Sequence, residues 1–138
     1  MASLINPIAA KMKLHLVANT ALTAVSVGYR AINRNSWPAA FIMFDGPGDV
    51  RDEMNSTRDI AYPVLIGVES TTFEMTNDIL ETILTMWEVN PLRAELAALG
   101  VIAIDVLRLA PGGEFAEVSD GAGFRGEIDL VLTIRHNF

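Results

Sequence analysis

The sequence predicts an α+β domain: a four-stranded, largely antiparallel sheet with helices packed on one face and long loops protruding. Three observations carry this. Gly100–Phe138 reads as a long-armed β-hairpin whose second arm alternates apolar and polar residues, the period of a half-buried strand. Two apolar, β-rich runs, Trp37–Phe44 and Ile60–Val68, precede it. Between these pairs, Thr71–Trp87 carries a helix cap followed by apolar residues at helical spacing. The order is α-β-β-α-(α)-β-β, and strands arriving in hairpin-like pairs favour an antiparallel sheet.

Each element has its local reason. Asn6-Pro7 marks a helix start, with Asn as cap and Pro at the first helical position, where a missing N–H costs nothing. Ile8, Ala9, Met12 and Leu16 form the buried stripe, flanked by Lys11 and His15, and the helix should fade at Asn19-Thr20. Ala21–Asn33 leans towards extended structure through Val25, Val27, Tyr29 and Ile32, and Asn33–Ser36 is a turn cluster. Trp37–Phe44 reads as a buried strand that tolerates Pro38 near its start. Asp45-Gly-Pro-Gly-Asp49 breaks it, and the mixed-charge stretch Asp49–Asp59 reads as a solvated loop or hairpin tip.

In the next strand, Ile60, Tyr62, Val64, Ile66 and Val68 share a face, and Pro63 removes one ladder donor, pointing to an edge position or a bulge. Thr71-Thr-Phe-Glu74 matches a capping box, and Phe73, Leu80, Ile83, Leu84 and Trp87 form the core stripe behind it. Asn90-Pro91 opens a short helix, Leu92–Leu99, which Gly100 ends. Val101–Leu109 is an apolar strand interrupted by Asp105 and Arg108. In the last strand Phe124, Ile128, Leu130, Leu132 and Ile134 face the core, with Arg125, Glu127, Asp129, Thr133 and Arg135 on the other side. Ala110–Gly123 between them is too long for a tight turn and reads as a functional or disordered loop.

The length of 138 residues fits one domain, 1–138, with an ordinary core. The chain has no cysteine, so disulfides, zinc knuckles and thiol nucleophiles are excluded. Its first residues lack the pattern of a signal peptide, no apolar run is long enough to span a membrane, and a cytoplasmic protein is expected. A net charge of −7 with no basic patch disfavours nucleic-acid binding. Half the residues are apolar, which hints at a subunit–subunit surface.

Chemistry finds little footing. Gly121-Ala-Gly-Phe-Arg-Gly126 spells G-x-G-x-x-G, but an alternating strand follows where a helix N-terminus would have to hold the pyrophosphate, so the match is a decoy. The aspartates of 49–59 lack calcium-loop spacing. His15 and His136 are far apart in sequence, and each fits an ordinary structural role better than a ligand or catalytic one. Glu114 and Glu117 lie on a glycine-rich stretch where burial cannot raise a carboxyl pKa. The expectation is a non-enzyme without catalytic residues, cofactor or metal. The polar stretches Asp45–Asp59 and Ala110–Gly123 are either partner-binding arms or plain mobile surface.

With these elements in place, the chain resembles the tail terminator (tail completion) proteins of long-tailed bacteriophages and gene-transfer particles. The likeness runs through the N-terminal helix, the Trp37-Pro-Ala-Ala-Phe-Ile-Met-Phe44 strand and the polar excursion into Tyr62-Pro-Val-Leu-Ile-Gly-Val68. It continues through the capped helix Thr72–Trp87 and the closing pair of strands. The resemblance implies a structural virion protein at the tail neck, assembled in the host cytoplasm. It implies a homo-oligomer, commonly a hexameric ring, that caps the tail tube, ends its polymerisation and meets the head-side connector or stopper protein. Genomic DNA would pass through without specific binding, and no membrane is involved. Expected channel or partner contacts are Asp49, Arg51, Asp52, Glu53 and Arg58, or Glu114, Phe115, Glu117 and Asp120. Another neck protein, a connector or stopper, and a small-molecule-binding α+β domain remain as alternatives.

Overall fold

The computed structural model describes residues 4–28, 36–54, 57–87, 90–115 and 123–137. Their order is α1 (Ile5–Asn19), β1 (Ala24–Val27), β2 (Ala39–Phe44), β3 (Asp49–Met54), β4 (Thr57–Ser70), α2 (Phe73–Met86), α3 (Asn90–Ala98), β5 (Val101–Phe115) and β6 (Gly123–Asn137). The α+β class holds, but the four expected strands become six described ones in a mixed sheet. The path is β1-β2-β4-β6-β5, with β3 also paired to β4. The two additions are β1, which joins β2 in parallel, and β3, which turns the polar stretch into a hairpin with β4. Neither strand has an apolar run long enough to announce it; backbone pairing to a neighbour makes them strands.

One apolar cluster fills the space between the helices and one sheet face. α1 contributes Ile8, Met12 and Leu16, α2 Ile79, Leu80, Ile83 and Met86, and α3 Leu92 and Leu96. Beneath them lie Val64, Ile66 and Val68 of β4 and Ile128, Leu130, Leu132 and Ile134 of β6, the faces that the period-two pattern predicts. The register Ile66↔Ile128 puts the two rows side by side. Gly67 points the other way, where a methyl group would collide with the Phe41 ring, itself fully buried on the opposite face.

Several local expectations are corrected. α1 begins one residue before Asn6, and Leu4 stands at its cap position with no side-chain cap. Pro7 is then third in the helix, still among the N–H groups that lack an intrahelical acceptor. In α2 the cap is Thr72 rather than Thr71: its hydroxyl accepts from the Met75 N–H at 3.1 Å. Phe73, the first residue of the helix, is exposed and meets Phe124 edge-to-face at 6.4 Å, and Thr76 is the buried residue of that turn. The Thr76 hydroxyl donates to the Phe124 carbonyl, tying the start of α2 to β6. Gly100, at φ +105°, ends α3 as expected, its N–H bonded to Ala97 O.

Pro63 sits in a central strand, not at an edge. Its carbonyl accepts from Asp45 N–H, so its missing donor points to the same side, where β2 has ended and β3 has not begun. β5 is the strand at the sheet margin instead, and among its residues with described burial only Val101 is buried. Its register against β6 slips by one residue at Ile102, again at Leu107 and a third time between Ala110 and Gly113. Ala110–Phe115 continues this strand rather than forming a loop, and Gly123 already opens β6. Gly123 and Gly126 of the G-x-G-x-x-G match therefore lie in a strand.

Candidate functional site

The geometry is set by β4, whose fourteen residues span the sheet from end to end. At about 3.3 Å per residue its ends are roughly 43 Å apart. The β3–β4 hairpin closes at its Thr57 end, and the β5–β6 hairpin leaves from the Ser70 end, since Phe124 pairs with Ser70 and Asn137 with Thr57. The first group of expected contact residues and the described members of the second, Glu114 and Phe115, thus lie toward opposite ends of β4 and do not converge on one site.

In the first arm Asp49 and Arg58 are exposed. Arg51 is the extra residue where the β3 register slips, Asp52 lies opposite Asp59, and Glu53 lies opposite Arg58. Near its closing end the arm is fixed by Arg135 of β6, whose Nε and one terminal nitrogen donate to the two Asp59 carboxylate oxygens at 2.8 and 2.9 Å. That paired bond holds the largely buried Asp59 carboxyl below its usual pKa. In the second arm Glu114 and Phe115 lie in β5 opposite Phe124 and Gly123. Glu117 and Asp120 fall outside the described residues.

Between the arms, the sheet face away from the helices carries a ladder of ion pairs. Asp59–Arg135, Glu69–Arg125 and Asp129–Arg108 are each register partners across neighbouring strands. The Arg108–Asp129 contact is 2.6 Å and the Arg125–Glu69 contact 4.0 Å; Arg125 also reaches Glu127 at 3.3 Å and lies over the Phe41 ring at 5.0 Å. Sequence reading places the β6 members of these pairs on the polar face but misses the partners, because strand register is not written in any one strand. A shallow hollow of about 270 Å³ lies on this face, bordered by Asp45, Leu65, Leu107, Arg108 and Asp129.

Both histidines are engaged in holding elements together. His15 Nε2 contacts Glu95 at 2.6 Å, linking α1 to α3, and Lys11 approaches the same carboxylate at 3.8 Å. The His15 bond is the main reason the Glu95 carboxyl sits below its ordinary pKa. His136 Nε2 shares a 2.9 Å hydrogen bond with the Tyr62 hydroxyl, whose pKa burial raises. Among the described residues, no three His, Cys, Asp or Glu side chains gather as a metal site.

No family model and no curated protein matches the sequence. Among solved structures, a chain from the virion of a native gene transfer agent (GTA) particle overlays 99% of this chain and 100% of its own length. The identity is 15% and the TM-score 0.43. Likeness at that level fixes neither family nor function.

Proposed function

We propose that this chain is a structural virion subunit without enzymatic activity, a tail terminator whose copies form a ring, hexameric as the resemblance implies, on the end of a tail tube. The ring ends tube polymerisation and presents its other side to the head-side connector or stopper protein. The observation that supports this reading is that the mixed-charge β3 arm and the Glu114–Phe115 end of β5 lie toward opposite ends of β4. A subunit that must meet a tube on one side and a connector on the other needs contact groups at both poles and a stiff span between them. β4 supplies the span, and the ion-pair ladder braces it.

The net charge of −7 per copy gives such a ring an anionic character that lets DNA pass without adhering. The reading is tested by polymerising tail-tube protein with and without this protein and measuring tube lengths by electron microscopy. Shorter, capped tubes are expected, and particles lacking the protein should carry overlong tails. Tails of normal length on leaking heads would assign it to the stopper position instead. A protein indifferent to tubes that shifts its melting temperature with a metabolite would point to a small-molecule-binding domain.

A further inference from the structure

The two lateral margins of the molecule carry apolar surface with complementary charge. On α1 the side away from the core shows Ala10, Leu14, Val17 and Ala18 at helical spacing, with Leu14 62% exposed. Lys13 is the exposed charge of that helix and makes no hydrogen bond or ion pair among the described residues. At the other margin, two extra residues of β5, Ile102 and Leu107, stand out beside the exposed Val106, with Leu107 66% exposed. Between them lies the exposed Asp105, equally without a partner among the described residues.

A greasy helix face bearing Lys13 therefore matches a greasy strand edge bearing Asp105, each unpaired among the described residues. They cannot meet within one copy: α1 rests on β1, and β1 and β5 are the two ends of the strand path, about 19 Å apart at the usual strand spacing.

We propose that the outer face of α1 receives the β5 edge of a second copy of this chain, with Lys13 meeting Asp105 across the contact. The two surfaces differ, so the contact is head-to-tail and repeats from copy to copy until the rotation closes a ring. This names the lateral joint of the assembly and rests on the reading of the chain as a multi-copy structural subunit. The joint lies on the flanks, away from the two poles at which tube and connector would bind.

The absence of native cysteine makes the test direct. A chain carrying both Leu14→Cys and Leu107→Cys, oxidised in solution, is expected to give a ladder of disulfide-linked oligomers on a non-reducing gel. Either single variant should remain one band. Both positions are exposed, so folding is retained, which circular dichroism confirms. Independently, Lys13→Glu and Asp105→Lys should each weaken association about tenfold or more by placing like charges together. An equimolar mixture of the two should recover it, because alternating copies restore opposite charges at every joint.

A disulfide dimer from Leu14→Cys alone would show α1 packing on its own symmetry mate and overturn the proposal. Oligomers that persist without the ladder and ignore both charge reversals would also overturn it, while leaving the ring reading intact. A chain that stays monomeric by light scattering, alone and on tube ends, would remove both.

Discussion

On the side away from the sheet, α2 carries Glu74, Asp78, Glu81, Thr82 and Thr85, whereas α1 carries Ala10, Leu14, Val17 and Ala18 with Lys13. Both helices press an equally apolar stripe into the same core. α2 also has a hydroxyl cap and an acidic first turn, and α1 has neither. α2 is thus a helix completed by water on its outer side, stable through its own local chemistry as well as its packing. α1 is held by packing and by its bond to α3, and it is apolar on both sides, the pattern of a helix meant to be covered twice. Two helices of one fold can therefore declare, by their outer residues alone, which is surface and which is joint.

The inner stripes offer the largest test of that contrast. Met12→Ala and Leu80→Ala remove fully buried side chains, one from each helix, and each should destabilise the fold by about 2–5 kcal/mol in chemical denaturation. A negligible effect of Met12→Ala alone would mean that α1 is not integral to the core. Next comes the cap: Thr72→Ala should cost about 1 kcal/mol, readable as a lower melting temperature, because the Met75 N–H loses its acceptor.

A pH titration sharpens the comparison further. The Glu95 carboxyl is held low by His15, so the α1–α3 link contributes stability above the ordinary carboxylate range of about 4 and loses it as pH falls through the lowered folded value. Glu95→Gln should flatten that part of the acid unfolding curve. The smallest effect on stability is expected on the outer faces, where Leu14→Gln and Glu81→Gln should each change it by no more than about 0.5 kcal/mol. Yet Leu14→Gln should weaken self-association measured by light scattering, and Glu81→Gln should leave it unchanged.

The central sheet and its helices are legible because their signals are periodic and long. The row Ile128–Leu130–Leu132–Ile134 and the stripe Ile8–Met12–Leu16 each follow from spacing alone. What sequence pattern does not convey is pairing. β3 is polar and becomes a strand because β4 extends past β2 and offers it a partner. Pro63 reads as an edge residue because the crossover at Asp45, which leaves room for its missing donor, is remote in sequence. The one-residue shift of the α2 cap shows the same limit on a local scale, since adjacent threonines offer two candidates and packing of Thr76 selects between them. For the candidate contact groups, composition marks the two polar stretches, but the separation of their described parts toward the two ends of β4 appears only once β4 is seen to pair along its whole length with β6.

The slips at Ile102 and Leu107, the first two of three in β5, have a consequence for that margin. A flat, apolar margin strand would invite open-ended stacking of sheets into fibrils. By interrupting the regular spacing of backbone donors and acceptors at Ile102 and Leu107, the chain keeps adhesive side chains on show while denying a newcomer strand a continuous template. Removing either extra residue should lengthen the regular part of that margin.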